Sequence, residues 1–288
     1  MKSIYKRELG SYFQGMMAYV FCAFLLLFAG IYVMAFNLQQ KYSNFEYVLS
    51  YLSFLLIFAI PLLTMRVFAE EKKQKTDQLL YSLPLSITQI VLGKYLSLAS
   101  VILLPCVIMG CYPLILGTLG PVNYLTAYTA LLAFYCLALA LASIGMLISA
   151  LCDNQTVASV ICLMILFLLY YSADFATYVT ASLQGTLLVF GGVMALVGIF
   201  VSITTKNIWN GVIVAAVGET ICSFFSMYRQ PEFSQLLVTS LKQIAVFRMF
   251  FTFVDGMLDL TVIFYYLSIM VLMIFVTIQA LKKRRWDG

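Results

Sequence analysis

Apolar residues run in long, nearly unbroken blocks along this chain, and most charged residues fall between the blocks. A helix that crosses a bilayer needs ~20 consecutive, mostly apolar residues. The blocks at about 16–36, 48–64, 95–116, 127–150, 157–178 and 260–280 therefore read as spans. Two shorter blocks, about 186–203 and 209–227, flank the polar turn Thr204, Thr205, Lys206, Asn207 and read as a helical hairpin. The pattern predicts an all-α, polytopic membrane helix bundle of six to eight transmembrane helices. The count is eight if both arms of the hairpin cross and six if that pair is re-entrant or peripheral.

Three stretches break this pattern. Residues 1–15 place Ile4, Tyr5, Leu9, Tyr12 and Phe13 on one helical face, with Lys2, Lys6, Arg7 and Glu8 largely on the other. Such a short amphipathic helix lies in the headgroup plane. Residues 66–94 are interrupted by Glu70, Glu71, Lys72, Lys73, Lys75 and Asp77, so they are expected in water or at the bilayer surface. Their spacing predicts a charged helical region over 67–81, a break at Pro84 and a second short helix over 86–94 with Ser86 as its N-cap. Residues 228–259 mix apolar positions with Arg229, Glu232, Lys242, Arg248 and Asp255 and read as interfacial helix and loop. The whole chain, 1–288, is expected to form a single transmembrane domain around these features.

Within the fourth block, Ala138, Ala142, Gly145 and Ser149 recur at three- and four-residue steps. A stripe of small residues lets another helix approach closely. Pro61, Pro105 and Pro113 lie inside spans, where neighbouring helices absorb a kink.

Composition changes the picture by exclusion. Of the 288 residues, 63% are hydrophobic and only 10% charged, against about 25% charged in soluble domains. The net charge of +5 is a matter of topology, not of nucleic-acid binding. Thirteen of the 17 Lys and Arg (Lys2, Lys6, Arg7, Arg66, Lys72, Lys73, Lys75, Lys94, Lys206, Lys282, Lys283, Arg284 and Arg285) fall on one side of the predicted topology. Only Lys41, Arg229, Lys242 and Arg248 fall on the other. That excess predicts a cell-membrane protein with both termini and the 66–94 loop in the cytoplasm and 228–259 outside.

No histidine is present, which removes the commonest metal ligand and neutral-pH acid or base. The seven cysteines form no C-x-x-C pair and read as small buried hydrophobes. No phosphate-binding loop exists: Leu92, Gly93, Lys94 is followed by Tyr95, with Thr88 where the first glycine would stand. There is no G-x-S-x-G elbow and no H-E-x-x-H. The chain is therefore expected to be no enzyme and to carry no cofactor or metal of its own. Glu219 sits mid-way along the 209–227 block, where an unpaired charge costs at least ~2.5–3.5 kcal/mol, so it is a candidate intramembrane polar site. The alternatives are a protonated or hydrogen-bonded carboxyl within the bundle, or a block not fully embedded.

Three stretches carry a family resemblance. The opening IYKRELGSYFQGMMAYV, from Ile4 to Val20, is similar to the interfacial helix and first span of permease subunits in the type-2 (ABC-2) exporter family of ATP-binding cassette transporters. AEEKKQKTDQLLYSLPLSITQIVLGKYLS, from Ala69 to Ser97, resembles that family's most recognisable motif: paired acidic residues, a Thr, a Leu-Leu, a Pro, then Gly-Lys-Tyr. The tail from Phe253 to Trp286, with its closing basic residues and Trp, is similar to the last span of the gliding-motility (GldF-like) branch.

The resemblance implies a permease that couples ATP hydrolysis by a separate ATPase subunit to substrate translocation, with ATP and Mg bound by that partner. By motif position it assigns the ATPase-coupling role to Glu70, Glu71, Thr76, Leu80, Pro84 and Lys94. The other expected partners are a second copy of the chain, as a homodimer, or a second, different permease subunit, and membrane lipid. The 186–227 pair is additional to the family's usual six spans. Two other readings stand beside this one: a proton-coupled carrier using Glu219, and a non-transporting membrane anchor of a larger complex.

Overall fold

The computed structural model describes residues 2–40, 44–73, 86–178, 208–228 and 245–287, with shorter pieces within 185–195 and 235–243. The described backbone is helical, and the chain separates into two units, 1–170 with 246–288, and 171–245. Six helices among the described residues are long and apolar enough to cross a membrane: Met17–Gln39, Phe45–Lys73, Ile87–Gly117, Tyr124–Leu151, Gln155–Asp174 and Leu260–Lys283.

The larger unit opens with α1, Lys2–Gln14. Its chain turns at Gly15 and Met16, the latter in a left-handed conformation with φ 59° that non-glycine residues seldom adopt. The first span follows as α2, Met17–Tyr32, whose last turns widen into a π-helix over Val33–Gln39. The second is α3, Phe45–Thr64, which carries Pro61 without interruption. A turn leads into the short α4, Ala69–Lys73.

The third span corrects the sequence reading. The stretch 86–94 is not a separate surface helix but the first two turns of α5, Ile87–Met109. Ser86 does cap it, its hydroxyl accepting the Gln89 N–H at 3.3 Å. The helix breaks at Gly110 and Cys111 and restarts as α6, Tyr112–Gly117, with Pro113 at its start, where a missing N–H costs nothing.

The fourth span, α7, Tyr124–Leu151, is the post around which the larger unit is built. It packs against α3, α5 and two elements near the C-terminus: α10, Val246–Val254, and α11, Leu260–Asp287. Its small-residue stripe works as the spacing predicts, with Ala138, Ala142, Gly145 and Ser149 all buried. The fifth span, α8, is Gln155–Tyr178. The aromatic residues of α10 face inward; Phe247, Phe250 and Phe253 are buried, and Phe250 meets Phe134 of α7 at 6.1 Å. Tyr266 of α11 donates to the Val246 carbonyl at 3.0 Å.

The smaller unit contains α9, Ile208–Tyr228, which matches the predicted second arm of the hairpin to within a residue at each end. Gly218 lies against the side chain of Met194, in the first arm. The α9 helix is not one of the six candidate spans.

Candidate functional site

The face of α1 that turns inward carries Ile4, Glu8 and Tyr12, one residue per helical turn. Glu8 was expected on the polar side with Lys6 and Arg7. Its side chain is instead only 13% exposed and points at Lys94. The four-residue step from Ile4 to Tyr12 runs through position 8, so the signal was in the sequence.

Lys94 stands in the second turn of α5 and is 2% exposed. A buried ammonium must find acceptors for its three N–H bonds. Lys94 finds three: the Val67 carbonyl at 2.8 Å, Glu71 at 2.9 Å and Glu8 at 3.2 Å. The Phe68 ring lies 5.1 Å from the same nitrogen. Arg7, half exposed, bridges Glu8 at 2.7 Å and Glu71 at 3.3 Å. One buried lysine thus joins α1, α4 and α5. Breaking a buried pair by removing one partner costs about 3–5 kcal/mol, so these three elements are held in fixed relation.

A second set of contacts fixes the same segment to α7. The Ser149 hydroxyl accepts the N–H groups of Phe68 and Ala69 at 3.1 and 3.2 Å and donates to the Met65 carbonyl at 3.1 Å. Lys72 reaches the other way, to the carbonyls of Ala150 and Cys152, and lies 3.7 Å from Asp153. A cation at the C-terminus of α7 complements the helix dipole and its unsatisfied carbonyls. Neither Ser149 nor Lys72 was singled out for this role from the sequence.

Of the predicted coupling residues, Glu71 and Lys94 are drawn into one cluster, and Glu70 stands beside it, 40% exposed and 4.0 Å from Arg66. Lys94 presents no surface to a partner; it acts on what it holds. Thr76, Leu80 and Pro84 lie outside the described residues. Glu219 belongs to the smaller unit, where it is exposed on α9.

Between α1 and residues 66–71 opens a cleft of about 620 Å³, lined among others by Arg7, Ser11, Tyr12, Arg66, Glu70 and Glu71. Burial raises the Tyr12 phenol well above its usual range, and the carboxylates of Glu8, Glu70 and Glu71 push it the same way against Arg66. Tyr12 is therefore a neutral wall of the cleft. Among the described residues, no group of three or more His, Cys, Asp and Glu is placed to hold a metal ion.

This arrangement defines a multi-pass helical membrane protein whose polar contacts concentrate where the second span gives way to charged chain. Residues 31–180, just over half of the chain, match a family model described as ABC-2 family transporter protein, and the chain belongs to that family. It is thus the membrane subunit of an ATP-binding cassette transporter, in a family of permease domains that lack a nucleotide-binding site and generally work with an ATPase subunit. A search of curated proteins returns no match to the chain.

Proposed function

We propose that the chain is an exporter permease driven by a separate ATPase, which docks on the segment from Arg66 to Lys94 at the cytoplasmic face. Support comes from the double anchorage of residues 65–73. The segment is tied to α1 and α5 through Lys94 and to α7 through Ser149 and Lys72. A push on so firmly held a segment moves packed helices, which is how a two-state rocking transition is driven. On this reading Glu70 offers an exposed contact, while Glu71 and Lys94 transmit force inward. Thr76, Leu80 and Pro84 carry the docking motif, ATP and Mg are held by the partner, and both termini are cytoplasmic. The GldF-like tail favours the gliding-motility branch, with a homodimer or a second permease completing the complex.

The test is purification of the tagged chain from its native membranes. A co-purifying ATPase is expected, and Glu70→Lys should abolish the association while leaving the chain folded. A complex unchanged by Glu70→Lys would reject docking at this segment, and absence of any ATPase would reject the coupled reading. The proton-carrier alternative draws less support, because Glu219 is exposed on α9 among the described residues. Transport that needs ATP and both subunits would exclude both that alternative and a passive anchor.

A further inference from the structure

The ion cluster leaves one pair of charges over. Lys94 has spent its three donors, and Arg7 is shared between Glu8 and Glu71. Arg66 and Glu70 stand on the open side of the same cleft, 37% and 40% exposed, and approach no closer than 4.0 Å. That separation is too long for a hydrogen bond. The Arg66 Nε is shielded from solvent and has no hydrogen-bond partner.

The depth of the cleft is set by the spans that border it. Met17, on its wall, is the first residue of one candidate span, and Arg66 is the first charge after the apolar run of α3. The cleft therefore lies where apolar chain gives way to charge, at the level of lipid headgroups. Met16, Tyr19 and Val20, close in sequence to the Gly15 and Met17 that line the cleft, are more than half exposed and present an apolar face. One cation, one carboxylate and an adjoining apolar strip form the complement of a zwitterionic lipid.

We propose that this cleft binds the headgroup of a phosphoethanolamine-bearing membrane lipid. The Arg66 guanidinium, with the outer edge of Arg7, takes the phosphate, where planar forked donors suit its oxygens. Glu70 accepts N–H bonds from the ammonium, and the acyl chains run along Met16, Tyr19 and Val20. A choline headgroup has no N–H to give Glu70, and a glycerol headgroup places no cation there. The proposal goes beyond the coupling reading and does not need it.

The test is lipid binding by the full-length chain in detergent, read by native mass spectrometry and thermal melting, with no ATPase present. Dioleoyl phosphatidylethanolamine should bind roughly tenfold more tightly than the phosphatidylcholine or phosphatidylglycerol analogues. Glu70→Gln should erase the preference over phosphatidylglycerol while both lipids still bind, and Arg66→Gln should weaken all three. Both side chains are partly exposed, so lipid-free melting of each variant should stay close to that of the unaltered chain. Equal binding of the three lipids, or a preference that survives both substitutions, would overturn the proposal. Free phosphoethanolamine competing as well as the whole lipid would overturn the membrane origin of the ligand.

Discussion

Gly145 of α7 sits so close to Thr64 of α3 that a methyl carbon at position 145 would lie 2.9 Å from the Thr64 Cβ. Both residues are buried. Replacing Gly145 with Ala should cost about 1–3 kcal/mol through overpacking and lower the melting temperature in detergent. Gly30 on α2 has nothing within 4 Å of an added methyl. The same change there should be neutral or slightly stabilising, so the pair separates helix contact from helix propensity.

Lys94→Met should destabilise the chain by about 3–5 kcal/mol, because it leaves two carboxylates gathered around a missing cation. Adding Glu71→Gln removes one of them and should return part of the loss. Denaturant titration of the single and double variants measures the coupling, and strict additivity would show that the three elements are not joined through this nitrogen.

Tyr12 gives the cleft a pH signature. Its folded-state pKa is raised, chiefly by burial and then by Glu8, Glu70 and Glu71. A raised pKa contributes stability that is complete below the unfolded phenol value of about 10 and is lost as pH climbs above it. Melting temperature should therefore fall less steeply above pH 10 in Tyr12→Phe than in the unaltered chain. Parallel curves would show that the phenol is not buried.

Ser149→Ala removes the acceptor shared by the Phe68 and Ala69 amides. An abandoned buried donor costs about 1–3 kcal/mol. Exchange of those two amides should accelerate about ten- to a hundredfold, while amides in the middle of α7 keep their protection.

The spans were legible because membrane insertion is governed by local apolar length, and most predicted limits fall within a few residues of the observed helices. The start of α5 was misplaced for a physical reason. The charges over 70–77 mark the stretch up to Lys94 as aqueous, whereas the Lys94 ammonium is satisfied inside by three acceptors drawn from α1, α4 and the turn before α4. The stripe from Ala138 to Ser149 was readable as a close-packing face, yet the acceptor role of Ser149 was not. Its partners stand about 80 positions away in sequence, and no local spacing encodes them. Glu8 was readable from its four-residue register with Ile4 and Tyr12 and was obscured by the charges beside it.

The hydroxyl that holds Phe68 and Ala69 belongs to a residue synthesised some 80 positions later than they are. A ribosome making this chain releases the bend between α3 and α4 long before the post that shapes it has been synthesised. Until α7 is made, residues 65–69 lack the hydroxyl that fixes them, so the bend takes its final form only once the post is in place.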